Sequence, residues 1–194
     1  MTVDRLREWL AKPREDLTRA LERAVEAHVQ ELLARGHEFY GYALSFGLEP
    51  ELAAPIAITN RVDDLPADRP QELDYYRYAV NEWKHWWEGA GAYAEATALT
   101  NRYQARFAEL HAPVSDDPES LVFSSWEQRH QEAHQQAVLD ALESAKQAGV
   151  FAPDHFIQIY ISGSHWDSGL SIVERSVRLL NTTEHVERYV QELG

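Results

Sequence analysis

His37-Glu38-Phe39-Tyr40-Gly41-Tyr42-Ala43-Leu44-Ser45-Phe46 is where the chain changes its hydrophobic period. Just before it, Leu17, Leu21, Ala24, Val25, His28 and Leu32 recur at helical spacing, which predicts a long helix ending near Gly36. Inside it, Tyr40, Tyr42, Leu44 and Phe46 alternate with Phe39, Gly41, Ala43 and Ser45. That alternation predicts a strand, and the apolar content of both sides predicts cover on both faces. A Gly47-Leu48-Glu49-Pro50 turn signal follows, then Ala54, Ile56 and Ile58 as a second strand, so the pair reads as an antiparallel hairpin.

Working outward, Leu6, Trp9 and Leu10 form a short amphipathic start broken at Pro13. On the other side, Asp63, Asp64, Pro66, Asp68 and Pro70 give residues 61–72 a loop composition. Trp83, Trp86 and Trp87, at i, i+3 and i+4, predict a short helix interrupted at Gly89 and Gly91. Ala96, Leu99, Tyr103, Phe107 and Leu110 make the stripe of a further helix, and residues 112–118 break it. Ser125, with Gln128 placed for a capping box, opens a helix along Trp126, Ala137, Val138, Ala141, Leu142 and Ala145. Ile157, Ile159 and Ile161 mark a third strand and residues 162–169 a loop. Ile172, Val173, Ser176, Val177 and Leu180 then mark a helix, and Thr183 caps a terminal one through Val186 and Val190. The expected fold is a single α+β domain over residues 1–194, residues 1–13 being a short N-terminal helical segment. Long helices pack on a small, mainly antiparallel sheet.

At 194 residues the chain is long enough for a core without staples, and its lack of cysteine excludes disulfides, thiolate metal sites and a cysteine nucleophile. No apolar signal core opens the sequence and no apolar run is long enough for a bilayer, so a cytoplasmic, soluble protein is expected. Acidic residues number 32 against 18 basic ones, for a net charge of -14. That field disfavours nucleic acid and anionic membranes as partners and favours a basic protein. Arginine far outnumbers lysine and alanine is abundant, the habit of a GC-rich bacterial genome.

The densest chemistry lies in Tyr75-Tyr76-Arg77-Tyr78-Ala79-Val80-Asn81-Glu82-Trp83-Lys84-His85-Trp86-Trp87. Such an aromatic run is either a plug in the core or the hot spot of a binding surface. The partner-binding candidates are Tyr75, Tyr76, Trp86 and Trp87 as anchors, with Asp116, Asp117 and Glu119 as an acidic rim. His130 and His134 stand one helical turn apart on an apolar face, and His28 sits likewise on the first long helix; these three are the metal candidates. In His130-Gln131-Glu132-Ala133-His134 the glutamate occupies the third place, not the second as in zincins. Ser164, His165 and Asp167 are triad residue types packed too closely in sequence, without the glycine of a nucleophile elbow. No phosphate loop or dinucleotide fingerprint is present, so no cofactor is expected and no catalytic residue is assigned.

The order of motifs carries a resemblance. His37-Glu38-Phe39-Tyr40-Gly41-Tyr42-Ala43-Leu44, then Ile58-Thr59-Asn60, then Tyr75-Tyr76-Arg77-Tyr78 with Glu82-Trp83, resembles the bacterial family catalogued as domain of unknown function 4303. Gly149-Val150-Phe151, the strand at 157–161 and the closing Leu180-Asn181 agree with it. The resemblance implies a small α+β fold, an uncharacterised activity and no transferable catalytic residues. Families of this kind often resemble immunity or accessory proteins of bacterial conflict systems.

Three readings follow. The first is a binding protein of immunity or accessory type that occludes a basic toxin or partner domain. The second is a metal-dependent or acid/base hydrolase using the His28, His130 and His134 face. The third is a self-associating structural protein, a homo-oligomer.

Overall fold

The structure is a computed structural model that describes residues 2–45, 54–86, 89–114, 125–161 and 167–193. In chain order the elements are α1 (Thr2–Leu10), α2 (Glu15–Ala34), β1 (Phe39–Ser45), β2 (Ile56–Arg61), α3 (Leu73–Tyr78) and β3 (His85–Trp86). They continue with α4 (Ala94–His111), α5 (Ser125–Gln147), β4 (Phe156–Tyr160), α6 (Asp167–Leu180) and α7 (Thr183–Leu193). Short 3-10 turns link them, among them Val62–Asp64, Val80–Glu82 and Ala90–Tyr93.

The sheet order is β3-β2-β1-β4. β1 pairs antiparallel with β2, β2 antiparallel with β3, and β4 runs parallel to β1. The fold is therefore α+β with a mixed sheet, the expected hairpin at its centre. Every residue of β1 is buried, as expected for a strand covered on both faces.

On one face Tyr42, Leu44, Ala57, Ile157 and Ile159 meet α2, α4 and α5 through Leu21, Val25, Val29, Leu99, Val138 and Leu142. Each such aliphatic side chain contributes about 1.5–3 kcal/mol of transfer free energy. On the other face Ala43, Ile56, Ile58 and Phe156 meet Tyr78, Val80, Trp83 and Val177, with Val186 and Tyr189 of α7 against them. A third cluster pins α1: Leu6 and Leu10, with Trp9 beside them, pack on Phe107 and Leu110 of α4.

One alternation fails locally. The β1–β2 register shifts between Phe39 and Gly41, a bulge. Phe39 joins Tyr42 in the helix-side core, while Tyr40 packs edge-on against Trp83, 6.2 Å between ring centres. The extra residue of a bulge re-aims the side chains before it.

The outer edge of β4 is sealed by side chains. Asn181 Nδ2 donates to the Ile157 carbonyl (2.6 Å) and Asn181 Oδ1 accepts from the Ile157 N–H (2.7 Å). Ser176 Oγ accepts from the Ile159 N–H (3.0 Å) and donates to the Val173 carbonyl (2.7 Å). These groups stand in for a further strand and blunt an edge that would otherwise pair. Among the described residues no helix is long and apolar enough to cross a membrane.

Candidate functional site

The aromatic run divides by burial. Tyr78, at the end of α3, is buried edge-on to Phe156 at 4.8 Å, and its hydroxyl lies 3.0 Å from His185 Nδ1. His185 Nε2–H donates to the Asp154 carbonyl at 3.0 Å, which leaves Nδ1 to accept from the tyrosine. Trp83 is buried over Gly41, with its Nε1–H on the Arg77 carbonyl at 3.3 Å. Tyr75, Tyr76 and Trp86 are only half-buried.

Among the described residues, the helix expected from Trp83, Trp86 and Trp87 does not form. Trp83 stands after a 3-10 turn in extended backbone, and Trp86 lies in β3, opposite Ile58. The helix of this region is α3, earlier in the chain. Trp86 Nε1–H donates to the Trp83 carbonyl at 2.7 Å, and its ring meets Tyr160 edge-on at 5.6 Å. Tyr75 and Tyr76 stand edge-to-face at 5.3 Å, and Arg69 Nη1 donates to the Tyr76 hydroxyl at 2.8 Å.

A polar layer fixes this side of the sheet. Asp64 accepts from the Arg61 N–H (3.0 Å), and its Oδ2 lies 2.8 Å from His85 Nε2. Asn60 donates to the Tyr40 hydroxyl (2.8 Å) and accepts from the Lys84 N–H (3.3 Å). The Arg77 guanidinium covers the Tyr40 ring at 5.0 Å. Burial pushes the Tyr40 hydroxyl up to about 12, so it stays protonated. Asp63, Asp68 and Glu82, in the segments that flank these anchors in sequence, are exposed. The other anchor candidate, Trp87, and the acidic rim of Asp116, Asp117 and Glu119 lie outside the described residues, as do Ser164 and His165.

The three histidines form two separate places. His28 is buried with Nδ1 3.0 Å from the Tyr42 hydroxyl, which itself hydrogen-bonds the Tyr93 hydroxyl. Burial raises both phenols well above their ordinary value. His130 and His134 do come together, as their spacing predicts, with rings edge-on at 4.4 Å. His134 Nδ1–H donates to the His130 carbonyl (2.9 Å), and His130 Nε2–H donates to Gln104 Oε1 (3.2 Å). His130 lies parallel on Phe107 at 4.3 Å and beneath Trp9 at 5.6 Å. Burial, reinforced by the neighbouring histidine and by Arg14, pulls His130 down to about 2; burial pulls His134 to about 4. Among the described residues no group of three His, Cys, Asp or Glu is placed to hold a metal.

Beside this pair stands a residue that the sequence does not flag. Arg14 is the N-cap of α2 and only 3% exposed. Its guanidinium lies 4.0 Å from the centre of the Trp9 ring and 4.3 Å from that of Tyr103. Such a cage is worth about 2 kcal/mol when desolvated. Arginine is ordinarily exposed, so nothing in its sequence neighbourhood signals burial. Fourteen positions, roughly 20 Å of helix, separate it along α2 from His28.

The family described as Domain of unknown function (DUF4303) matches residues 21–182. The match takes in the whole sheet, α3 and α5, while α1 and α7 fall outside it. No curated protein and no solved structure matches the chain.

Proposed function

We propose that this chain, which belongs to the DUF4303 family, is a cytoplasmic binding protein of immunity or accessory type. It captures a basic protein domain and covers that domain's working surface. The observation that carries this reading is the division of one aromatic run: Tyr78 and Trp83 are in the core, and Tyr75, Tyr76 and Trp86 are left half-exposed beside them. Tyrosine and tryptophan on rigid elements supply large contact area at small entropic cost, which is the chemistry of a hot spot.

Charge supplies the other half. At -14 the protein attracts a cationic surface from a distance and speeds the encounter. Asp63, Asp68 and Glu82, exposed and near the anchors in sequence, contribute to that charge. Of the cations near the run, Arg69 and Arg77 are engaged with Tyr76 and Tyr40, and Lys84 and Arg188 pair with Asp64 and Asp74.

The test is retention of a stoichiometric basic partner from the native lysate on tagged protein, repeated across rising salt. Release with salt is expected, since exposed charge pairs are screened within a Debye length. Retention of an acidic or neutral partner, indifferent to salt, contradicts the reading.

A further inference from the structure

Arg77, on α3 between Tyr76 and Tyr78, pairs with no carboxylate among the described residues, and no acceptor among them takes a hydrogen bond from it. Arg69, Lys84 and Arg188 do find acids, in Glu72, Asp64 and Asp74. Arg77 is half-buried. Its Nε is closed to solvent without a hydrogen-bond partner, which leaves the outer end of the fork, Nη1 and Nη2, as the part that meets solvent.

The side chain is nevertheless held. Its guanidinium lies 5.0 Å from the centre of the Tyr40 ring, and Asn60 fixes that ring through its hydroxyl at 2.8 Å. The Arg77 carbonyl accepts from the Trp83 indole, whose ring stands edge-on to the same tyrosine. The ring face attracts the cation and leaves the Nη donors free. Partial burial without a counterion costs desolvation that no acid among the described residues returns. A guanidinium positioned in advance loses little freedom on pairing, and its outward N–H groups are spaced for the two oxygens of one carboxylate.

We infer that Arg77 takes a carboxylate of the captured protein, an Asp or Glu side chain, as a charge pair within the interface anchored by Tyr75, Tyr76 and Trp86. This rests on the capture reading above and specifies one contact inside it. The net charge of -14 draws a basic domain in from a distance. Arg77 then fixes the pose, because any register that brings no acid to it sets this guanidinium against the partner's own cations. Arginine beside tyrosine and tryptophan is also the usual composition of a hot spot.

Net charge and this pair predict opposite results. Loss of a cation from an acidic chain strengthens its attraction for a basic partner, whereas loss of a desolvated charge pair weakens the hold. The test uses the full chain and the purified partner domain retained in the salt-graded capture. Association and dissociation rates are measured for wild type and for Arg77→Gln, checked for native circular dichroism. Dissociation from Arg77→Gln is expected to be about tenfold faster or more, the equivalent of one lost charge-assisted bond, with association unchanged or faster. Should Arg77→Gln not fold, Arg77→Lys keeps the charge and the stem. Carbodiimide treatment of its complex is then expected to join the new amine to one Asp or Glu of the partner, located by mass spectrometry. A retained partner that leaves Arg77→Gln no faster than wild type, or coupling to no carboxylate of that partner, overturns the inference and leaves the capture reading standing. No retained partner overturns both.

Discussion

The Trp83 indole occupies the space in which any side chain at position 41 would stand: a Cβ built on Gly41 falls 2.6 Å from Trp83 Cη2 and 2.7 Å from Cζ2. A glycine in the middle of a fully buried strand thus admits the ring on which the rest of the aromatic run is positioned. The Trp86 indole N–H donates to the Trp83 carbonyl, and the Trp83 indole N–H donates to the Arg77 carbonyl. Gly41→Ala should therefore destabilise the protein by about 1–3 kcal/mol, the range for overpacking a filled core. Urea unfolding monitored by tryptophan fluorescence measures it, and an unchanged midpoint would remove Trp83 from this place.

Gly89 makes the same demand on His28. It lies in left-handed backbone, φ 68°, and a Cβ there would collide with His28 Cδ2. Gly89→Ala should cost about 2–4 kcal/mol, the sum of backbone strain and a displaced buried ring. In a His28→Ala background the ring is gone and the same substitution should cost only the strain, about 1 kcal/mol. A double-mutant cycle by chemical denaturation separates the two; equal costs in both backgrounds would deny the contact.

Acid should weaken the fold through its buried imidazoles. Burial lowers His130 to about 2 and His134 to about 4, and lowers His155 as well. In the unfolded chain each titrates near 6.5. Below that pH the unfolded state takes up protons that the folded state refuses, so stability is complete above about 6.5 and falls as pH drops towards the folded values. The slope should approach about 1.4 kcal/mol per pH unit for each histidine. Urea midpoints at descending pH test this, and His134→Gln should flatten the profile. A profile level from neutrality down to about pH 5 would place these rings in water.

Much of the fold is legible in the sequence because it rests on periodicity. The stripe Leu17, Leu21, Ala24, Val25, His28 and Leu32 is the buried face of α2 as found. Ile157, Ile159 and Ile161 all enter the helix-side core. What the sequence hides is decided by contacts distant in the chain. The Trp83, Trp86 and Trp87 spacing suits a helix, but pairing with Ile58 and Thr59 draws His85 and Trp86 into a strand. Neither the burial of Arg14 nor the edge seal at Asn181 has a local signature, since each depends on partners in other elements. The binding candidates are half legible: composition points to the aromatic run, while only the fold separates Tyr78 and Trp83 from Tyr75, Tyr76 and Trp86.

The half-exposed anchors are the centre of the account, and the affinity of the captured basic partner for wild type and Tyr76→Ala tests them most directly. Trp86→Ala, checked for native circular dichroism, serves as the second variant. Hot-spot anchors cost about 2 kcal/mol or more when truncated, so a loss of about 30-fold or more in affinity is expected from each. Wild-type affinity in both variants would contradict the assignment of this face.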